Sequence, residues 1–190
     1  MQRDRVVIGA SAGGIEALRK LVGGWPANLA AAVLVVVHLP TSSRSVLPQV
    51  LSRAGPLKAR HPIDGEELQR GTIYVAPPDS HMVIVGENVR LQRGPLIHNH
   101  RPAVDPLFYS AARWAGRRTI ALVLSGGLDD GTAGMLAVRR SGGLLAVQAA
   151  HDAAHPSMPA SVLASVKVDH VGTASELSTW TASQVAQVVT

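Results

Sequence analysis

Three polar positions stand where this chain could carry hydrolytic chemistry: Ser11, His38 and the adjacent pair Asp129-Asp130. Ser11 lies in Gly9-Ala10-Ser11-Ala12-Gly13, a Gly-x-Ser-x-Gly run of the kind that sets a serine on a sharp turn between a strand and a helix. A serine hydroxyl is a weak nucleophile at neutral pH, so it needs a base to take its proton and a carboxylate to hold that base in the right tautomer. His38 supplies the imidazole, and Asp129 or Asp130 the carboxylate. The chain order is Ser, His, Asp, whereas α/β-hydrolases run Ser, Asp, His and subtilisins Asp, His, Ser. Each residue also has a bland reading. Ser11 could be a turn residue or helix N-cap, His38 a hydrogen-bonded histidine at a strand end, and either aspartate the cap of the next helix.

The elements around these residues place them together. Arg5 to Gly9 is a β-branched run, and Ile15, Leu18, Leu21 and Val22 then recur at helical spacing, which gives strand, turn, helix. The continuous apolar run Ala32 to Val37 predicts a strand buried on both faces, as in a parallel sheet. A helix is expected over Ser45 to Ala54. Thr72 to Pro77, His81 to Val85 and Val89 to Gln92 are read together as an inserted β-hairpin at an edge of the sheet. Asp105-Pro106 reads as a helix start with Asp105 as N-cap, and that helix should run to about Ala115. Strands at Thr119 to Leu124, Leu144 to Val147 and Val168 to Val171 then alternate with helices at Gly131 to Arg140, Pro159 to Ser165 and Thr179 to Val189. The expected fold is a doubly wound α/β domain: a mostly parallel sheet with an inserted hairpin and helices on both faces.

In such sheets ligands bind beyond the carboxyl ends of the strands, where strand order reverses. Ser11, His38 and Asp129-Asp130 each follow a strand, so all three belong to that edge. Ser11 also precedes a helix, whose free N–H groups and dipole can stabilise an oxyanion.

Composition narrows the remaining classes. At 190 residues and 46% hydrophobic, the chain fits a single domain over residues 1–190. It has no cysteine, which removes disulfides, thiolate catalysis and Cys-based zinc sites. The N-terminus leads straight into Val6-Val7-Ile8-Gly9, too short an apolar run for a signal peptide or membrane span, so a cytoplasmic protein without membrane insertion is expected. The net charge is +5, carried mostly by Arg, but no basic cluster is interleaved with aromatics. An acidic protein partner fits that balance better than nucleic acid does. His98-Asn99-His100 has metal-like spacing, yet no third ligand completes a pattern in sequence, so no metal is expected. A dinucleotide-binding module is a rival reading of the Gly-rich turn. Against it, Gly9 to Gly14 does not spell G-x-G-x-x-G, and His38 stands where a ribose-binding acid would be.

Five segments carry a resemblance in their order: Val7 to Gly14, Val36 to Pro40, Gly71 to Pro77 with Asp79 to Met82, His100 to Asp105, and Asp130 to Met135. Together they resemble the catalytic domain of the chemotaxis protein-glutamate methylesterases, the CheB family, over nearly the whole chain. The resemblance implies hydrolysis of γ-glutamyl methyl esters on methyl-accepting chemotaxis receptors, with deamidation of particular glutamines as a second activity, and no metal or organic cofactor. It implies Ser11, His38 and Asp130 as the triad. Backbone N–H groups at Ala12 and Gly127 are the expected oxyanion donors, and His81, Arg101 and Met158 are expected to line or buttress the cleft. The implied partner is the acidic cytoplasmic helix bundle of a methylated receptor; a non-catalytic module that binds the same receptor is the other rival. The family usually carries a receiver domain ahead of this one, and here the expectation is that it is absent. Two departures stand out. Ala12 replaces the family's Ser or Thr, and Gly126-Gly127-Leu128-Asp129-Asp130 replaces its usual Gly-Met-Gly-x-Asp.

Overall fold

The computed structural model describes residues 2–38 and 45–187. Seven parallel strands form one sheet in the order β3-β4-β2-β1-β7-β8-β9. They are β1 (Arg5–Ala10), β2 (Ala32–Val37), β3 (Lys58–Arg60), β4 (Thr72–Val75), β7 (Thr119–Val123), β8 (Leu144–Gln148) and β9 (His170–Gly172). Every residue of β1, β2 and β7 is buried, which explains why, past Arg5 and Thr119 at their starts, these strands read as continuous apolar runs rather than as alternation.

Helices cover both faces. Val6, Ile8 and Ala10 point to a core closed by α1 (Gly14–Gly23), α2 (Leu47–Ala54) and α6 (Ala174–Ala186). Val7, Leu34, Val36 and Ala121 point to the other core, closed by α3 (Val104–Trp114), α4 (Thr132–Arg140) and α5 (Ser157–Ser165). Among the described residues, no helix is long and apolar enough to cross a membrane.

Several boundaries differ from the sequence reading. Thr72–Val75 is no part of the hairpin; it lies inside the main sheet between β3 and β2. The hairpin, β5 (His81–Val85) with β6 (Asn88–Gln92), is a separate antiparallel pair rather than an edge of that sheet. Its apolar residues Met82, Ile84 and Val89 are buried in the core beneath α3, which satisfies the hairpin without sheet pairing. The edge strand on that side is β3, whose Lys-Ala-Arg sequence carries no apolar period to betray it, and β9 forms the opposite edge. α6 begins at Ala174 rather than Thr179. Thr173 and Glu176 form a capping box there, with Glu176 N–H on Thr173 Oγ1 at 3.2 Å and Thr173 N–H on Glu176 Oε2 at 2.7 Å. Leu39, Pro40 and the expected end of this helix at Val189 lie outside the described residues.

Candidate active site

The strand order reverses at β1, with β2 on one side and β7 on the other, and the backbone ladder runs on past the strand ends. His38 N–H donates to Ala10 O at 3.2 Å, Leu124 N–H to Gly9 O at 2.9 Å, and Ser11 N–H to Ser125 O at 2.9 Å. Ser11 is therefore held between the segments that follow β2 and β7. Its Oγ lies 3.2 Å from His38 Nδ1, and His38 Nε2 lies 2.6 Å from Asp130 Oδ2. The imidazole turns Nδ1 to the serine and Nε2 to the carboxylate. With the proton on Nε2, the Nδ1 lone pair faces the serine hydroxyl.

Asp130 is 2% exposed. Its Oδ2 also accepts from Val104 N–H at 2.7 Å and its Oδ1 from Asp105 N–H at 3.0 Å, the first two N–H groups of α3. Burial pushes its pKa up, but the hydrogen bonds from His38, Val104 and Asp105 outweigh that and hold the carboxyl below the usual aspartate range. Asp129 is turned away, with its side chain 66% exposed. Neither aspartate caps α4 with its side chain; Asp129 contributes only its carbonyl, to Thr132 N–H at 3.0 Å.

Ser125, to which the sequence reading assigns no role, ties the serine loop together. Its Oγ donates to Ala12 O at 2.7 Å and accepts from His155 N–H at 2.9 Å, while its own N–H reaches Gln148 Oε1 at 2.8 Å. Gly13 at the head of α1 has φ 74°, and a Cβ there would meet Ala154 Cβ at 2.7 Å and Ser125 Oγ at 2.8 Å, so only glycine suits the turn. Met158 is fully buried beneath the site, and a Cβ on Gly126 would collide with its sulfur and approach Ser11 Cβ to 2.9 Å. Among the described residues, neither Ala12 N–H nor Gly127 N–H donates to a protein acceptor. Leu128, next in the loop, takes a left-handed φ of 63° and is 74% exposed.

The other singled-out side chains prove to be braces. His81 is 3% exposed rather than lining a cleft; its Nε2 donates to Pro95 O at 2.9 Å and its Nδ1 accepts from Ala103 N–H at 3.2 Å. Arg101 spends its guanidinium on Asp79 and on Gly94 O, the latter at 2.6 Å. Asp105 is not the N-cap of α3, a place taken by Ala103. It lies in the first turn, and its Oδ1 accepts from Gly134 N–H of α4 at 2.7 Å.

Two histidines from the segment ahead of α3 flank these side chains, and the sequence reading assigns a role to neither. His100 stacks on His38 with ring centroids 3.7 Å apart and planes within 7°. Burial, with the fields of His38 and His98, lowers the His100 pKa. His98 Nε2 lies 2.9 Å from Asp105 Oδ2. Ligand atoms of His98, Asp105 and Asp130 lie within 4.8 Å of one another, a spacing an ion could bridge. Most of their lone pairs are already committed to His38, His98 and the N–H groups of Val104, Asp105 and Gly134.

The profile of the CheB methylesterase family matches residues 6–180. The chain belongs to the CheB methylesterase family. Among relatives, the protein-glutamate methylesterase/protein-glutamine glutaminase 2 of Rhizobium johnstonii is 34% identical over 170 residues, 87% of this chain and 46% of its own length. The protein of the same name from Methanosarcina mazei is 40% identical over 149 residues, 74% of this chain and 41% of its own. The chain thus spans less than half the length of these relatives. The crystal structure of the Thermotoga maritima CheB methylesterase catalytic domain superposes with a TM-score of 0.91 at 31% identity, covering 96% of this chain and 99% of that one. The CheB catalytic-domain fold accounts for the seven-stranded sheet and the separate hairpin alike.

Proposed function

We propose that this chain hydrolyses γ-glutamyl methyl esters on the cytoplasmic helix bundle of methyl-accepting chemotaxis receptors, with Ser11 as nucleophile, His38 as general base and Asp130 as its orienting carboxylate. The observation that carries this reading is the unbroken run Ser11 Oγ to His38 Nδ1 to Nε2 to Asp130 Oδ2, in a member of the CheB methylesterase family. Ser11 Oγ attacks the ester carbonyl as His38 Nδ1 takes its proton, and Asp130 stabilises the imidazolium that forms. The Ala12 and Gly127 N–H groups receive the oxyanion at the head of α1. When the tetrahedral intermediate collapses, His38 returns the proton to the departing methoxy oxygen and methanol leaves. Water, activated by His38 in turn, then cleaves the acyl-serine and restores the free carboxylate. A glutamine side chain entering the same course releases ammonia instead. No step calls for a metal or organic cofactor.

The positive net charge suits an acidic receptor surface met in the cytoplasm. The test is methanol release from methylated receptor membranes by the purified chain, with Ser11→Ala as control. We expect the variant to fold and to lose roughly 10⁴-fold or more in kcat, as in other serine triads. Retention of about a tenth of the wild-type rate would remove Ser11 from the nucleophile's role. Receptor demethylation should also slow as salt is raised while hydrolysis of a small neutral ester does not, and equal sensitivity would refute charge steering.

A further inference from the structure

The serine relay assigns no role to His98, yet the structure sets this side chain against three carboxylates. Its Nε2 lies 2.9 Å from Asp105 Oδ2 and 3.9 Å from Asp130 Oδ1, and its Nδ1 lies 3.8 Å from Asp129 Oδ1. Asp105 and Asp130 are 4% and 2% exposed. Two carboxylates buried side by side resist joint ionisation, because each loses hydration and each repels the other. The backbone N–H groups of Val104, Asp105 and Gly134 offset part of that cost. A full positive charge beside the pair would offset far more.

The groups facing His98 come from every neighbouring element: Asp105 from α3, Asp129 and Asp130 from the loop between β7 and α4, and, beyond Asp130, His38 at the end of β2 with His100 stacked on it. We propose that His98, as its imidazolium, is a positioning residue of the relay: it supplies the charge that lets Asp105 and Asp130 be ionised together, and through Asp130 it lowers the pH at which His38 becomes a free base. The proposal rests on the reading of Ser11, His38 and Asp130 as the catalytic relay, and adds a fourth side chain that touches no reacting atom.

The protonation chemistry agrees in direction. Desolvation works against the charged His98 ring, but the Asp105 hydrogen bond and the fields of Asp130, Asp105 and Asp129 outweigh it and raise its pKa. Burial, with the Asp130 charge, raises that of Asp105. The His98 side chain is 37% exposed, so it exchanges protons with solvent, and solvent also screens its field.

The signs follow from charge alone. Losing the His98 cation leaves a more negative field around His38, stabilises its imidazolium, and moves the onset of base competence to higher pH. Losing the Asp105 anion does the reverse. The experiment is a side-chain NMR titration of the eight histidines in wild type, His98→Asn, His98→Lys and Asp105→Asn, with thermal unfolding as a check on fold, and kcat/KM against pH on one small ester. Asn suits the left-handed φ of 50° at this position, and Lys restores a charge that does not titrate in the range. We expect the His38 midpoint to rise in His98→Asn, to stay at or below wild type in His98→Lys, and to fall together with the His98 midpoint in Asp105→Asn. The acid limb of kcat/KM should move with the His38 midpoint. A His38 midpoint unmoved in His98→Asn, or shifted equally by Asn and Lys, would overturn the proposal. Titrations as expected without ester hydrolysis would leave the charge coupling standing and refute the esterase reading instead.

Discussion

Asp105 and Asp130 exchange their helices. Asp130, ahead of α4, accepts the first two N–H groups of α3 at 2.7 and 3.0 Å, while Asp105, within α3, accepts Gly134 N–H from the first turn of α4 at 2.7 Å. A charge-assisted hydrogen bond of this kind contributes about 1.5–3 kcal/mol, more than a neutral cap. The functional consequence concerns aim. The carboxylate that meets His38 is held by two N–H groups of a neighbouring helix, one on each oxygen, which fixes the direction in which Oδ2 faces the imidazole.

That geometry separates the adjacent aspartates. Asp130→Asn keeps the shape but presents an amide where His38 Nε2 needs an acceptor, or else breaks the contacts with Val104 and Asp105. The expected loss is on the order of 10²–10⁴ in kcat. Asp129→Asn alters an exposed carboxylate and should cost about tenfold at most. Both variants are to be measured on one ester after their unfolding curves are matched to wild type. A larger loss at Asp129 would reject the assignment of Asp130.

Asp105 predicts a stability effect with a definite sign. Burial and the Asp130 charge raise its folded pKa, so between the unfolded value and the raised one the native state holds the proton more often than the unfolded state. Stability therefore falls as pH rises through that window, and the loss is complete above the folded pKa. Asp105→Asn keeps an acceptor for Gly134 N–H and does not titrate. Its melting temperature relative to wild type should be higher at neutral pH than near pH 4.5. A difference that shrinks toward neutral pH would contradict the direction of the shift.

The sheet and one edge of the site are legible in the sequence because β1, β2 and β7 are apolar beyond the first residue of β1 and of β7, and polar residues follow each strand on the reversal edge: Ser11 after β1, His38 after β2 and Ser125 after Leu124 beyond β7. Choosing between Asp129 and Asp130 from the residues alone was impossible: the groups that hold Asp130, Val104 N–H and Asp105 N–H, belong to another element. His98 and His100 were hidden for the same reason, their partners Asp105 and His38 being contributed by α3 and β2. The role of Ser125 leaves no local signal, because it lies in joining Ala12 to His155. Two errors did have local signals. Thr173-x-x-Glu176 spells the capping box that starts α6. Thr72–Val75 belongs to the sheet rather than the hairpin, and its signal is that Ile73, Tyr74 and Val75 are apolar in succession, as suits a strand covered on both faces.

The floor of the site predicts a clash that a second substitution should relieve. A methyl group on Gly126 would strike the Met158 sulfur and press on Ser11 Cβ. Gly126→Ala should therefore displace Ser11 from His38 and lower kcat more than about tenfold, since small misplacements of a nucleophile are costly. Met158→Ala alone leaves a cavity and should cost about 2–5 kcal/mol of stability. In the double variant the new methyl occupies part of that space, so kcat should recover toward wild type. Losses that simply add would show that the two side chains act independently.

Leu128 offers the last test, because this chain keeps a backbone shape that its own residue resists. The family resemblance puts glycine at this position, and here Leu128 holds φ 63° with 74% of its surface exposed. A non-glycine residue in the left-handed region costs about 1–2 kcal/mol. Leu128→Gly removes that strain, while the added freedom of the unfolded chain takes back about 0.5–1 kcal/mol. The exposed side chain buries little, so its loss from the folded state should be nearly neutral. The net expectation is unchanged or slightly greater stability, with a melting temperature higher by up to about 2–4 °C. Hydrolysis of a small ester should stay within about twofold, because Gly127 and Asp130 keep their backbone positions. Leu128→Val, which puts a β-branched side chain into the same conformation, should be less stable than wild type. If Leu128→Gly instead slows receptor demethylation while leaving the small ester untouched, the leucine is retained as a contact for the protein substrate. If it lowers stability, the loop does not carry the strain that its φ implies.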